Sequence, residues 1–244
     1  MEVSRDGHLS IADLRKICQT KHSDDFSANL VRKISIYVTY VLVRTTISAN
    51  HVSWFNVALA VCSGYLLYAS PLLGAAALIL YTILDGVDGE VARYRKTVSL
   101  TGEFLDRLGG LVAGPSIFVS FGAVFLLKYD IKVGSFLSCL ATFGYLGLRV
   151  VKGNAFLVTG KSSPLDEVHT RLRFSIWYIT LADFLLNRQP GITALVVLSV
   201  FLDWYLGSYV TRLSLLSALG LGYPLALCGY IHCVLKWISK MERH

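Results

Sequence analysis

The chain has 244 residues, of which 54% are hydrophobic and 16% are charged. A typical soluble domain carries about 25% charged residues. No Asp, Glu, Lys or Arg occurs from Thr45 to Leu84, whereas a helix needs only about 20 apolar residues to cross a bilayer. The composition therefore predicts an all-α, polytopic membrane helical bundle. It excludes a soluble enzyme, a secreted disulfide scaffold and a disordered tail.

The formal net charge of +7 could indicate a nucleic-acid partner. In a membrane protein, however, such an excess is typical of cytoplasmic loops rich in Lys and Arg. We therefore expect the lipid bilayer as a partner and no nucleic acid. The first apolar run begins only near residue 34, after mixed charges, so a cleavable signal peptide is not predicted.

Residues 1–46 are predicted to be a cytoplasmic lead followed by an interfacial helix. From Phe26 to Val43, basic residues such as Arg32 and Lys33 alternate with aliphatic and aromatic ones. This pattern is typical of an amphipathic helix that lies in the membrane interface. Residues 47–244 are then the transmembrane domain.

The positions of the basic residues favour an even number of spans. Positive charge clusters at 93–96, at 149–173 and at the C-terminal end, which places those regions on one side, the cytoplasmic one. A polar loop is expected at 152–173. We expect six transmembrane helices, at about 54–69, 72–88, 104–127 and 133–151, one broken span within 174–207, and one at 213–236.

The segment that carries chemistry follows the second predicted span. It reads DGVDGEVAR at 85–93 and, eight residues later, GEFLD at 102–106. On a helix, Asp85 and Asp88 lie on one face, and a hairpin through 94–101 would bring Asp106 beside them. Ionisable side chains at the end of a membrane helix are costly and usually functional. Three converging carboxylates fit a hard divalent cation, Mg²⁺ or Mn²⁺.

Two other interpretations of this segment come from different classes. On charges alone, it could be an ordinary cytoplasmic loop of acidic and basic residues. A transporter could also use the acidic cluster to bind cations. Against the transporter, no inverted repeat is visible and the cluster lies at a membrane face instead of mid-span.

The pattern DxxDGxxAR, eight residues and GxxxD resembles the signature of the CDP-alcohol phosphotransferases. The segment from Ser48 to Ser53 is similar to the family's Pro-Asn-x-x-Thr, and the stretch from Arg32 to Ser35 looks most like the inositol-phosphate-using members. Seven residues fall in register with the signature: Asp85, Asp88, Gly89, Ala92, Arg93, Gly102 and Asp106.

The resemblance implies a displacement at a pyrophosphate, in which two metals bridge the phosphates of a CDP-alcohol, an acceptor attacks and CMP leaves. Asp85, Asp88 and Asp106 would be metal ligands, and Asp88 and Asp106 would be the catalytic residues. The nucleotide side of the site would be formed by Gly89, Ala92, Arg93, Gly102 and Asn50.

One position departs from the family pattern. The fourth aspartate of the signature, which is thought to complete the metal site and act as general base, falls on Gly110. The acceptor could already be ionised and need no base. Alternatively, His169 could supply the base, or the protein could be inactive. On a regular helix, a carboxylate at position 110 would point into the same cluster as Asp106.

Four basic residues are candidates for binding an anionic acceptor or headgroup: Arg149, Lys152, Arg171 and Arg173. They could equally be positive-inside topology signals. The resemblance implies a membrane transferase that moves a phosphoalcohol group to an anionic or hydroxyl acceptor, in phospholipid or inositol-phosphate-type biosynthesis. The alternative is an inactive relative that binds a nucleotide or lipid. We expect the site to face the cytoplasm, and a homodimer is left open.

The orientation is testable by cysteine labelling. With the other cysteines removed, a cysteine at Asp130 should react with an impermeant maleimide in sealed cells, while one at Ser99 should react only after lysis. The positive-inside distribution puts these positions on opposite faces. Equal labelling of both positions, or the reverse pattern, would contradict the predicted topology.

Overall fold

The computed structural model describes residues 10–19, 26–159 and 189–241, and all regular structure in these ranges is α-helical. The connections between the helices from residue 69 to residue 132 are short, so the chain reverses direction at each of them, and the two helices of each packed pair, 49–69 with 71–95 and 100–129 with 132–159, run antiparallel. The helices are α1 (Ile11–Cys18), α2 (Phe26–Leu42), α3 (Ala49–Ala69), α4 (Pro71–Arg95), α5 (Leu100–Tyr129), α6 (Lys132–Thr159), α7 (Gln189–Leu206) and α8 (Val210–Met241).

Five of these helices, α3, α4, α5, α6 and α8, are long and apolar enough to cross a membrane. The apolar stretch of α7, Pro190–Leu206, is shorter. The chain is thus a helical integral membrane protein, as its composition predicts. The count of six spans stays a prediction, since residues 160–188 lie outside the described ranges. The division after residue 46 and the interfacial placement of α2 also stay predictions.

The boundaries differ from the predicted ones mainly in α6. The sequence predicts a polar loop from residue 152, but α6 continues to Thr159. Lys152 therefore lies on a helix, one turn after Arg149 in the last part of α6. The end of the apolar run that begins at Val133 predicts where the span ends, but it does not predict where the helix ends. A helix can continue beyond the bilayer with polar residues on it.

Small residues let the helices approach closely. In lipid there is little hydrophobic drive to associate helices, so close van der Waals packing over Gly and Ser takes its place. A Cβ on Gly64 in α3 would lie 2.7 Å from the carbonyl oxygen of Ser116 in α5. Gly122 in α5 likewise meets the Ser138 side chain of α6. These contacts fix α3, α5 and α6 as neighbours.

Two further interactions hold the last two helices. The Tyr223 ring of α8 packs against Phe118 and Tyr145, with ring centroids 5.7 and 5.6 Å away. Near the start of α8, Arg212 forms a buried ion pair with Asp203 of α7, with a 2.6 Å contact. Asp203 also accepts a hydrogen bond from the backbone N–H of Arg212. The sequence assigned Asp203 no role, and its bonds make it a connection between α7 and α8.

The crossing of α6 and α8 gives a stability test. A Cβ on Gly144 would lie 2.7 Å from the backbone of Tyr223 and Pro224, which cannot yield easily. Gly144→Ala should therefore destabilise the protein by about 1–3 kcal/mol and lower its melting temperature in detergent. Gly153→Ala in the same helix is the control, because no atom lies within 4 Å of its Cβ position. Equal melting temperatures for the two variants would contradict this packing.

Candidate active site

The signature segment is helical throughout. Helix α4 runs through Asp85 and Asp88 without interruption and ends at Arg95, where Lys96 adopts a left-handed conformation (φ 55°) that turns the chain. Helix α5 begins at Leu100, four residues after Lys96, and the Ser99 hydroxyl caps it by accepting from the Gly102 N–H at 3.1 Å. This short turn lets α5 pack on α3, as α4 does, and it brings Asp106 in the second turn of α5 to the same cavity as Asp85 and Asp88. The predicted convergence of the three carboxylates is therefore seen, with a cavity between α4 and α5 where a packed hairpin was expected.

The end of this hairpin opens into a cavity of about 470 Å³ between α3, α4 and α5. The cavity brings together the predicted residues of the signature and of the segment before α3. Its lining includes Asp85, Asp88, Asp106, Gly89, Ala92, Arg93, Gly102 and Asn50. Their roles in binding metal or nucleotide stay predictions, whereas their convergence on one cavity is a feature of the fold.

Asp88 is the most firmly held of the three carboxylates. It is buried, and its two oxygens accept hydrogen bonds of 2.6 Å from the Ser53 hydroxyl of α3 and the Gly89 N–H. Hydrogen bonds to a carboxylate are stronger than neutral ones and fix its orientation. Each oxygen keeps a further lone pair that can bind a cation or donor. Ser53 therefore positions Asp88 toward the cavity.

The two glycines of the signature give space to other side chains of the site. A Cβ on Gly102 would lie 3.3 Å from both the Asn50 Oδ1 and the Ser99 hydroxyl. A Cβ on Gly89 would lie 3.2 Å from the Arg93 guanidinium. The sequence predicts room for a phosphate at these glycines. The structure shows that polar groups able to bind one, Asn50 and Arg93, already border that space.

The chemistry of the oxygen donors fits a hard divalent cation, although the distances are not those of a bound metal. Among the described residues, no group of three or more His, Cys, Asp or Glu side chains is close enough to hold an ion.

One buried oxygen near the carboxylates is unsatisfied: the Asn56 Oδ1 of α3 has no hydrogen-bond partner in the described part of the chain. In the antiparallel pair of α3 and α4, Ser53 contacts Asp88 and Leu67 contacts Gly74. This register places Asn56 opposite Asp85. A cation or water there would satisfy this oxygen.

Gly110, which the resemblance aligns with the fourth aspartate of the signature, lies against α6. The Tyr145 hydroxyl donates to the Gly110 carbonyl at 2.7 Å and accepts from Arg149 Nη2 at 3.0 Å. Arg149 and Lys152 also line a second, smaller cavity of about 100 Å³, together with Tyr145 and Leu148. The structure thus brings two of the four predicted acceptor residues together. Arg171, Arg173 and the candidate base His169 lie outside the described residues.

A buried carboxylate that the sequence did not single out joins the N-terminal helices to the site. Glu90 accepts hydrogen bonds from Gln19, Ser35 and Thr39, at 2.8, 2.8 and 2.6 Å, and it lines the large cavity. The Arg93 Nε also donates to the Cys18 carbonyl at 2.6 Å. Helices α1 and α2 therefore pack on α4. The sequence offers one signal for this role: Glu90 is an acidic residue in a helical segment, at a position that the family pattern leaves variable.

Comparison with known proteins agrees with this site. The profile of the CDP-alcohol phosphatidyltransferase family matches residues 46–205, which is more than half of the chain. The chain belongs to this family. Its members are membrane transferases that use CDP-alcohols and lipid acceptors and generally require divalent metal ions.

A curated relative is the bifunctional IPC transferase and DIPP synthase of Aquifex aeolicus (strain VF5), which is 36% identical over 80 residues. The match covers 33% of this chain and only 18% of the relative. The activity of that whole protein therefore does not transfer to this chain directly.

The docking of α1 can be tested through Cys18. Burial, together with the Glu90 carboxylate, raises the pKa of this thiol to about 11, so it reacts slowly near neutral pH. In a protein that retains only this cysteine, Glu90→Ala should release α1 and return the pKa toward about 8.5, which raises maleimide labelling at least about tenfold. Glu103→Ala, a cavity residue bonded to the exposed Arg107, is the control. An unchanged rate in Glu90→Ala would show that Glu90 does not hold α1.

Proposed function

We propose that this chain transfers a phosphoalcohol group from a CDP-alcohol to an acceptor and releases CMP, in phospholipid or inositol-phosphate-type biosynthesis. The observation that carries the proposal is the convergence of Asp85, Asp88 and Asp106 on one cavity. Family membership supports a transferase, and the relative from Aquifex aeolicus favours an inositol-phosphate-type acceptor. The active site would face the cytoplasm.

Asp85, Asp88 and Asp106 would hold Mg²⁺ or Mn²⁺. Bound there, the cation would polarise phosphoryl oxygens and stabilise the departing CMP. Ser53 keeps Asp88 oriented for this task through its 2.6 Å hydrogen bond. Asp88 and Asp106 would act as catalytic residues, because they border the place where the pyrophosphate must lie.

The nucleotide would occupy the side of the cavity that Asn50, Gly89 and Arg93 line. A planar guanidinium can bind phosphate oxygens in a bidentate way, which suits Arg93 for the diphosphate. Ala92 and Gly102 are small, so they leave the backbone accessible to a bulky ligand. The acceptor would approach from the side of Arg149 and Lys152, and its anionic group would bind there.

The second candidate function is that of a relative that binds a nucleotide or lipid without turnover. The observation that favours it is Gly110, which can neither bind a metal nor take a proton. An acceptor that is already ionised removes the need for a base, so the glycine is compatible with an active enzyme. Both candidates use the same cavity and differ only in whether CMP is formed.

Turnover of a radiolabelled CDP-alcohol separates the two candidates. In detergent with Mg²⁺, the wild type should release CMP when an inositol phosphate is the acceptor. Asp88→Asn should lower this rate at least about a hundredfold and greatly weaken CDP binding measured by calorimetry, because a metal ligand is lost. Asp130→Asn, the same change at the far end of α5, should leave both unchanged. Tight, Mg²⁺-dependent CDP binding without CMP release would instead establish the second candidate, and unchanged CDP affinity in Asp88→Asn would contradict the metal assignment.

A further inference from the structure

The space that a side chain at position 110 would fill is taken by a cation. An ideal Cβ on Gly110 would lie 3.2 Å from Nη1 and 3.4 Å from Nη2 of Arg149. Gly110 itself is buried against α6. The absence of a side chain at this position therefore lets the Arg149 guanidinium approach the α5 backbone, one turn beyond Asp106.

The guanidinium is held in this place by Tyr145. Its Nη2 donates to the Tyr145 hydroxyl at 3.0 Å, and that hydroxyl is itself fixed by its bond to the Gly110 carbonyl. The centre of the guanidinium lies 5.3 Å from the centroid of the Tyr145 ring. Arg149 also interacts electrostatically with both Asp85 and Asp106. Its positive charge thus favours the ionised form of two of the three predicted metal ligands.

The substitution changes the charge of the site in a defined way. Four ionised aspartates, as in the family signature, carry a charge of −4 and can balance two divalent cations. Three ionised aspartates and one guanidinium carry −2, which balances one. A second divalent cation at this end of the cluster would have no carboxylate at position 110 and would be repelled by Arg149 at short range.

We infer that Arg149, admitted by Gly110, replaces one of the two metal ions, so that this chain binds a single divalent cation and completes the site with a guanidinium. This inference rests on the proposed function, because it concerns the metal site proposed there, while Arg149 itself lines the smaller, second cavity. The guanidinium would supply the positive charge that a second metal would otherwise supply, and it would bind the anionic group of the acceptor. Arginine suits this role because it stays charged and presents paired donors.

Counting bound Mn²⁺ tests the inference without any turnover. Purified protein in detergent is titrated with Mn²⁺ at saturating CDP, and bound ions are counted from the loss of the free Mn²⁺ signal in electron paramagnetic resonance. We expect one ion per chain in the wild type and two in the double variant Gly110→Asp and Arg149→Ala, which restores the carboxylate and removes the cation. Gly110→Asp alone should still bind one, because its new carboxylate would pair with Arg149.

The control is Lys132→Ala, which removes a cation from the opposite end of α6 and should leave one ion bound. Two ions in the wild type would overturn the inference and leave the transferase proposal intact. No bound ion in the wild type would overturn both. A double variant that remains folded and still binds one ion would also overturn the inference, since removing the guanidinium would then admit no second cation.

Discussion

The arrangement of the site depends on the antiparallel pairing of α3 and α4, which a single residue, Ser70, connects. Pro71 begins the second helix at once, so the two helices cannot slide relative to each other. Leu67 then lies against Gly74 near the turn, and Ser53 meets Asp88 at the other end. A carboxylate at the end of a membrane helix is costly without a donor, and this register supplies one.

From this pairing the rest of the cavity follows. Because α4 continues as a helix through the signature, its carboxylates share one face and α5 can return beside them after a short turn. Helix α2 adds Arg32 to the lining, and Glu90 joins this helix to α4 through the hydroxyls of Ser35 and Thr39. Arg93 and Arg95 of α4 add hydrogen bonds to the carbonyls of Cys18 and Leu42. The N-terminal segment is therefore part of the site as well as a lead to it.

The contact between Gly110 and Arg149 changes how the departure from the family signature is interpreted. A glycine in place of an aspartate looks like a loss when only α5 is considered. The structure places a guanidinium in the vacated space, tied to the same turn through Tyr145. If the proposed alignment of Gly110 holds, the site would differ in charge from the family pattern, in a way that suits an anionic acceptor and a smaller number of metal ions.

The sequence by itself determined the membrane-helical class and the break between the spans predicted at 54–69 and 72–88, because hydrophobic run length is a local property. The resemblance to the family signature identified eight of the residues that line the cavity. The sequence overestimated the loop after residue 151, since a helix that leaves the bilayer keeps no distinctive pattern. Only the tertiary structure decided which residues meet across helices: Ser53 with Asp88, Glu90 with Gln19, and Arg149 with Gly110. These pairs are separated by 35 or more residues, and their contacts follow from helix register and packing, which no local pattern encodes.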